Sequence, residues 1–268
     1  MNKVQIIIPV INLWEEYSEK ALSTISVAMM RAKEHGIDSQ ILFIDNASTD
    51  HTQKEAEKRI SKLFIYKRNE ERWGFQKSVN YGINYAFENG CEYAFVCNND
   101  ILLQKDAIWI LAERVKGIAT CVNISGEITP GYFYDVDPHS KEEVEESPHP
   151  DFSAFIISRD CWEKVGEFDE AFAPAYFEDN DYHYRMKLLG IEAVSVPIAI
   201  FYHFGSRTQN SAREDNMPMV SHELFEKNRA YMIEKWGSTS AEDIRYKYPF
   251  NNIKNSINFT KQQSVNMV

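Results

Sequence analysis

The sequence predicts an α/β fold built on a mostly parallel sheet with helices on both of its faces. Short β-branched runs alternate with amphipathic segments four times within the first 115 residues. Glycines such as Gly36 and Gly90 follow the helical segments, where they favour the turn that closes a helix. Polar residues follow the strands directly. This alternation is typical of a parallel sheet, because a parallel connection needs a crossover, which is usually a helix.

The elements of the first half follow this alternation closely. Strands are predicted at residues 4–11, 40–44, 64–66 and 93–97. Helices are predicted at residues 14–35, in a polar stretch that ends near residue 63, at 77–89 and at 105–115. The first helix has the clearest pattern, since Leu22, Ile25 and Met29 recur at helical spacing.

The second half is less regular. Strands are predicted at residues 118–124, 152–157 and 193–200, and helices at 161–165 and 180–189. Residues 126–151 lack periodicity, which predicts a long surface loop acting as a lid or disordered segment. The stretch after Trp236 is polar and is predicted to wrap the surface or fray. No repeat and no linker divides the chain.

Composition limits the classes of partner. The 268 residues carry 29 Lys plus Arg against 40 Asp plus Glu, a net charge of −11, so duplex nucleic acid is a poor default partner. A phosphate-bearing ligand needs local cations or a bound divalent metal. The four cysteines form no CxxC pair, which predicts reduced, buried thiols. No stretch approaches the ~20 apolar residues of a membrane span. We therefore predict a cytoplasmic protein, with peripheral contact to the inner face of a membrane left open.

Acidic and amide side chains follow two of the predicted strands. Asp45 comes directly after the second strand, where it can accept hydrogen bonds from a base or a ribose, although the stretch 45–50 also suits a helix N-cap. Asn98, Asn99 and Asp100 follow the fourth strand. There Asp100 is a candidate ligand for a divalent cation, with an ordinary Asn-Asp turn as the alternative.

Three further positions are candidates for binding or chemistry. Gly74 precedes a helix whose first turn holds Lys77, a pattern that suits phosphate as well as an ordinary loop-to-helix junction. Glu178, Asp179 and Asp181 begin another helix, where they favour the helix dipole or supply a proton acceptor. His203 follows the last strand; it suits a hydrogen-bonded structural histidine or a metal ligand.

In this order, the motifs resemble glycosyltransferase family 2, the inverting enzymes of the GT-A fold, and in particular its bacterial and phage rhamnosyltransferase-like branch. The resemblance runs from about residue 4 to 203, with a weaker echo at 228–237. Its pieces are Ile8-Pro9-Val10 with Asn12, Asp45-Asn46-Ala47-Ser48-Thr49-Asp50, Gly74-Phe75 with Asn80 and Gly82, Asn98-Asn99-Asp100, Val165-Gly166-Glu167-Phe168-Asp169-Glu170, and Glu178-Asp179 with Asp181 and Arg185.

The resemblance implies a Rossmann-like GT-A fold in a single domain at 1–237, followed by a tail at 238–268. The nucleotide-binding part is expected at about 1–100 and the acceptor-binding part at about 101–210. The nucleotide-sugar site is expected to comprise Pro9, Val10, Asn12, Asp45, Asn46, Gly74, Lys77, Asn98, Asn99 and Asp100.

The resemblance also assigns the chemistry. Asp179 is expected to be the general base of a single displacement with inversion. Glu178, Asp181 and Phe155 are expected at the acceptor side or its loop. Asp100 is the last residue of a DXD-type motif for Mn²⁺ or Mg²⁺. Because Asn98 replaces the first carboxylate of that motif, His203 becomes useful as a second ligand.

The predicted function is transfer of a sugar from a UDP-, dTDP- or GDP-linked donor to a hydroxyl of a glycan or other acceptor, as in polysaccharide biosynthesis. One alternative is a nucleotidyltransferase, but the first loop lacks the Gly-rich, Arg-containing signature of that class. Another is a non-catalytic sugar-nucleotide or glycan-binding module. A third is a glycosyltransferase that acts on a modified DNA base, which the charge of −11 disfavours.

Overall fold

The structure, a computed structural model, describes residues 2–124, 145–146, 150–205 and 222–237. Its strands are β1 (Asn2–Val10), β2 (Ile37–Asp45), β3 (Phe64–Arg68), β4 (Tyr93–Cys97), β5 (Ile101–Leu103), β6 (Ile118–Asn123), β7 (Glu145–Glu146), β8 (Ala154–Ser158) and β9 (Ala193–His203). Its α-helices are α1 (Glu19–Glu34), α2 (Thr52–Glu57), α3 (Phe75–Glu88), α4 (Ala107–Arg114), α5 (Arg159–Val165), α6 (Glu178–Leu188) and α7 (His222–Trp236).

The strands form one sheet in the order β3-β2-β1-β4-β8-β6-β9-β5, with β7 beside β9. The first four strands are parallel, as the alternation of strands and helices predicts. The second half is mixed, since β8 runs antiparallel to β4 and β6, and β5 runs antiparallel to β9. The predicted α/β class is confirmed, and its parallel character is strongest in the first half.

Two apolar cores lie on opposite faces of the sheet. One packs α1 and α4 through residues such as Ile25 and Ile108. The other packs α3, α5 and α6 through residues such as Ile83, Trp162 and Met186. Helices therefore cover both faces, as the sequence predicts. A Cβ atom at Gly82 would lie 2.4 Å from Cγ2 of Ile7, so α3 approaches β1 very closely.

Some predicted elements differ from the structure. The helix predicted to end near residue 63 ends at Glu57, because residues 58–63 bury no apolar side chain that would hold another turn against the core. The strand β5 and the helix α7 were not predicted. Of the predicted loop at 126–151, only residues 145–146 and 150–151 are described; the tail at 238–268 lies outside the described residues.

The four cysteines, Cys91, Cys97, Cys121 and Cys161, are free thiols with buried side chains. Burial raises the pKa of each thiol above its ordinary value. The predicted reduced and buried thiols are therefore what the structure contains. Among the described residues, no helix has the length and apolar character needed to span a bilayer.

Candidate active site

The loops that follow β1 and β2 are bonded to each other at the edge of the sheet. The backbone N–H of Asn12 donates to Oγ of Ser48 at 2.8 Å, and Oδ1 of Asn12 accepts from the backbone N–H of Thr49 at 2.7 Å. Asn12 has a φ of 56°, in the left-handed region that asparagine tolerates better than most residues. The two loops thus hold one shape, with Pro9 half-buried and Val10 buried at the end of β1.

Asp45 is fully buried at the end of β2. Its Oδ1 accepts from the backbone N–H of Ser48 at 2.8 Å, and its Oδ2 accepts from Oη of Tyr66 and Nη1 of Arg68, each at 2.7 Å. The parallel register brings Asp45 opposite Arg68. Arg68 is 30% exposed and borders a cavity of about 390 Å³. Asp45 is therefore not exposed itself, but it orients the guanidinium of Arg68, which is partly exposed.

Asn46, after β2, contacts the start of α3, and Gly74 is the residue before that helix. Oδ1 of Asn46 accepts from Nδ2 of Asn69 at 2.8 Å and from Oγ of Ser78 at 3.1 Å. A Cβ atom at Gly74 would lie 2.8 Å from Oε1 of Gln76 and 3.1 Å from Cβ of Ala173. The space beside Gly74 is thus taken up by the chain itself, and the glycine lets α3 pack against the segment before α6.

Lys77 lies in the first turn of α3, as predicted, but its side chain turns towards an aromatic ring. Its Nζ lies 4.7 Å from the centroid of the Trp73 ring and 3.8 Å from Oε1 of Glu71. The Lys77 side chain is 43% exposed. It remains a prediction that this cation contacts a phosphate group.

Asp100 and His203 lie together, as the metal hypothesis requires. Nε2 of His203 lies 3.1 Å from Oδ1 of Asp100, and Nδ2 of Asn98 lies 3.4 Å from the same imidazole nitrogen. Asn99 turns away and donates to Oγ of Ser18 at 3.0 Å. Burial lowers the pKa of His203, but the hydrogen bond and the charge of Asp100 outweigh it, so the pKa is raised.

This donor set fits a divalent metal whose other ligands come from a substrate. Asp100 offers a carboxylate oxygen and His203 an imidazole nitrogen, both of which suit Mn²⁺. Among residues 2–124, 145–146, 150–205 and 222–237, no cluster of three or more His, Cys, Asp or Glu side chains forms a metal site. Asp100 and His203 would thus supply two ligands of such a metal.

Asp179 and Glu178 occupy the first turn of α6. Asp179 is partly exposed, and its Oδ1 accepts from the backbone N–H of Asn180 at 2.8 Å. Burial and the charge of Asp151 raise the pKa of Asp179 against the hydrogen bond from Asn180. Burial and the charge of Asp179 raise the pKa of Glu178 to about 8. The charge of Asp151 also contributes to the raised pKa of His203.

Two residues predicted at the acceptor side lie in the interior. Phe155 is fully buried in β8, where its ring packs against the rings of Phe152 and Phe168. Asp181 is also fully buried and accepts from Nε of Arg185 at 3.0 Å. An acceptor does not reach either side chain, because helical spacing directs Asp181 to the inner side of α6 and strand alternation directs Phe155 into the core.

The motif-based prediction missed Arg68 and Tyr66, which hold Asp45. Both residues follow from the pattern of β3, since positions two apart on a strand share a face. Parallel pairing of β2 with β3 then brings that face against Asp45. The sequence could therefore indicate Tyr66 and Arg68 only if the register between β2 and β3 were known, because neither strand alone shows that they face Asp45.

Known proteins resemble this chain in sequence and in fold. The sequence model of glycosyl transferase family 2 matches residues 5–163, which is more than half of the chain. The chain belongs to glycosyl transferase family 2. The matched residues of this family 2 chain include Asp45, Asp100 and all of the parallel half of the sheet except the first three residues of β1.

Among the relatives of this family 2 chain is a galactofuranosyl glycosyltransferase of Leishmania donovani, 37% identical over 106 residues. That match covers 37% of the chain and 23% of the relative. An uncharacterised protein of Mycobacterium bovis is 27% identical over 150 residues, which cover 53% of the chain and 58% of that protein. The matches thus span less than two thirds of these relatives.

Solved structures share the fold of this family 2 chain. The structure of GalNAc-T7 with UDP, GalNAc and Mn²⁺ has a TM-score of 0.65 and 14% identity, covering 98% of this chain and 55% of that one. A mannosyltransferase from Pyrobaculum calidifontis, in complex with GDP-Man and Mn²⁺, has a TM-score of 0.52 and 17% identity, covering 97% of this chain and 79% of that one. At these identities the likeness is one of fold.

Proposed function

We propose that this chain transfers a sugar from a nucleoside diphosphate to a hydroxyl group of a glycan, with inversion at the anomeric carbon and with Asp179 as the general base. The observation that carries the proposal is the Asp100–His203 pair, whose Oδ1 and Nε2 atoms lie 3.1 Å apart beyond the end of β4 and at the end of β9. Asp179, in the first turn of α6, is the proposed base because burial raises its pKa. In this proposal the base and the diphosphate site flank one anomeric carbon.

The nucleoside end of the donor is proposed to lie over the ends of β1, β2 and β3. Asn12, Asn46 and the buried Asp45 hold the loops there in one shape. Arg68, held by Asp45, borders the cavity of about 390 Å³ and offers a cation to an anionic or hydrogen-bonding group. The net charge of −11 makes such a local cation more valuable, because the rest of the surface repels phosphate.

The diphosphate end is proposed to lie at Asp100 and His203, which would hold Mn²⁺ or Mg²⁺ together with the diphosphate oxygens. A divalent ion there supplies charge neutralisation for the leaving group. Nδ2 of Asn98 lies 3.4 Å from Nε2 of His203, so Asn98 borders the nitrogen that would bind the metal.

The transfer is proposed as one displacement. The acceptor oxygen forms its bond to the anomeric carbon while the bond from that carbon to the diphosphate oxygen breaks. The acceptor proton passes to Asp179, and the diphosphate leaves with the electron pair of the broken bond. General-base help of this type contributes about 10²–10⁴-fold. A raised pKa suits the role, since it makes the carboxylate a stronger proton acceptor.

The identity of the donor is part of the proposal. The motif order supports a donor used by the rhamnosyltransferase-like branch, such as a dTDP-linked deoxyhexose. The Leishmania relative, described as a galactofuranosyl glycosyltransferase, supports a galactofuranosyl donor instead. The solved structures were obtained with UDP or GDP-Man. A donor panel must therefore include UDP-, dTDP- and GDP-linked sugars.

Release of nucleoside diphosphate tests the proposal directly. The chain is incubated with each donor, a set of oligosaccharide acceptors and Mn²⁺, and the anomeric configuration of the product is measured by NMR. We expect one donor class to give an inverted product, with less product when the metal is chelated. Retention of configuration would overturn the direct displacement. Tight donor binding without release of nucleoside diphosphate would favour a binding module.

A further inference from the structure

The helix α7 lies beyond the residues that match the family model, yet it contacts the segment that leads into the proposed base. Its contacts include four positions that are spaced as one face of a helix, Phe225, Asn228, Met232 and Lys235. Met232, Asn228 and Lys235 are buried. This face combines apolar contact with buried polar groups, an expensive arrangement unless each group has a partner.

Lys235 is held between two buried carboxylates. Its Nζ lies 2.6 Å from Oδ2 of Asp169 and 2.7 Å from Oδ1 of Asp181. Oη of Tyr231 donates to the same oxygen of Asp169 at 2.9 Å. Arg185 donates to the other oxygen of Asp181, so two cations balance two anions. Through Lys235, the helix α7 is tied to the loop before α6 and to the first turns of α6 itself.

Asn228 is tied to the backbone of the same loop. Its Nδ2 donates to the carbonyl oxygen of Phe172 at 2.6 Å and to that of Ala175 at 2.8 Å. Asn228 is fully buried, so its amide N–H groups have no water to bond to in place of these carbonyl groups. The amide therefore fixes the path of the backbone across residues 172–175.

The backbone immediately after this point adopts a conformation that non-glycine residues seldom take. Tyr176 has a φ of 76° and Phe177 a φ of 70°, and the next two residues are Glu178 and Asp179. The ring of Phe225 packs 5.4 Å from that of Tyr176 and 5.2 Å from that of Phe177. Such a conformation persists only where surrounding contacts determine it, and α7 supplies part of those contacts through Phe225.

We propose that α7 positions the base, and that Lys235 and Asn228 are positioning residues that hold residues 169–177 so that Asp179 faces the anomeric carbon. The inference rests on the proposed role of Asp179. Neither residue touches the reacting atoms; each acts through the backbone that carries Asp179. A buried ion pair is a costly way to gain stability alone, whereas it fixes one geometry well.

The test compares three variants of the full chain. Lys235→Met removes the ammonium, Asn228→Ala removes the amide, and Tyr231→Phe removes a single hydroxyl from Asp169, so that at least one variant folds. Lys235→Arg is the conservative variant: it keeps a cation between Asp169 and Asp181 and should retain part of the wild-type kcat. Arg229→Met is the matched control, because Arg229 lies on the same helix with an exposed partner, Glu226, at 3.4 Å.

We expect Lys235→Met and Asn228→Ala to lower kcat on the order of 10- to 100-fold, because small displacements of a reacting group cost that much. KM and Kd for the donor should stay close to those of the wild type. Hydrogen exchange of residues 173–181 should quicken in both variants, whereas exchange in β1 and β2 should not. Tyr231→Phe should give a smaller change in the same direction, and Arg229→Met none.

Measuring both kcat and hydrogen exchange separates a failure of the positioning role from a failure of the proposed function. Unchanged exchange at residues 173–181 in both Lys235→Met and Asn228→Ala would overturn the positioning role, whatever the activity. Equal loss of donor binding and kcat, with faster exchange throughout the chain, would mean general unfolding and would also overturn it. A wild-type chain that transfers no sugar would refute the proposed function, while the exchange data would still decide whether α7 holds the segment.

Discussion

Nε2 of His203 lies 3.1 Å from Oδ1 of Asp100, although 103 positions separate the two residues in the chain. The antiparallel pairing of β5 with β9 brings them together, since Ile101 lies opposite His203 in that register. The backbone N–H of Phe204 also donates to the carbonyl oxygen of Asp100 at 3.0 Å. The pair is thus fixed by backbone pairing and does not depend on a ligand.

Asp100→Ala and His203→Ala should each remove the part of donor binding that depends on Mn²⁺. The metal loses one of its two protein ligands in either variant. For the wild type, a donor at a hundredfold excess over Kd raises stability by about 2.7 kcal/mol. Thermal unfolding with donor, with and without Mn²⁺, measures the difference. His51→Ala is the matched control, because His51 is exposed. Unaltered Mn²⁺ dependence in Asp100→Ala would exclude Asp100 as a ligand.

Asp179→Asn should lower kcat by about 10²–10⁴-fold while leaving Kd for the donor nearly unchanged. The amide has the shape of the carboxylate but accepts no proton. Steady-state transfer and calorimetric donor titration measure the two quantities. Asp160→Asn is the control, because Asp160 is exposed and pairs with the exposed Lys164. Turnover at the wild-type rate in Asp179→Asn would remove Asp179 as the base.

Glu178→Gln should flatten the pH dependence of stability between pH 4.5 and 8. Burial and the charge of Asp179 raise the pKa of Glu178 from 4.5 to about 8, so the folded state keeps a proton that the unfolded state loses. The contribution of this proton is complete below pH 4.5 and is lost as pH rises towards 8. The Tm of the wild type should therefore fall several degrees further across this window than that of Glu178→Gln. Glu163→Gln, an exposed change, should follow the wild type.

Gly82→Ala should destabilise the fold by about 1–3 kcal/mol, because a methyl group there overlaps Ile7. Urea unfolding of the variant measures the loss. Ile7→Ala removes the atoms that the methyl group meets, so the double variant should be less destabilised than the sum of the two single variants. Strict additivity in this cycle would mean that α3 moves away from β1 freely.

The sequence was sufficient to predict the parallel half of the sheet and the strand-end residues Asp45 and Asp100. Each of these strands is a local apolar run, and polar residues that end such runs come to one edge of a parallel sheet. The contact between Asp100 and His203 could only be hypothesised from the sequence, because it depends on the pairing of β5 with β9. The strand β5 has only three residues, and its partner lies far along the chain.

The helix α7 escaped prediction for a different physical reason. Its buried face includes Asn228 and Lys235, whereas hydrophobic periodicity requires apolar residues at those positions. The ion pairs that bury Lys235 involve Asp169 and Asp181, so its environment depends on the completed fold. The same limit applies to Asp181, which was expected at the acceptor side or its loop and which lies in the interior.

The burial of all four cysteines has a practical consequence for following α7 in solution. Thiol reagents react with the thiolate form of cysteine. Burial blocks the access of reagents to Cys91, Cys97, Cys121 and Cys161 and raises the pKa of each thiol, so little thiolate forms. A single cysteine introduced at an exposed position of α7, such as Arg229, could carry a spin label or fluorophore without first removing the native thiols. The mobility of that label, measured by its EPR line shape or its fluorescence anisotropy, would then report on the helix during turnover.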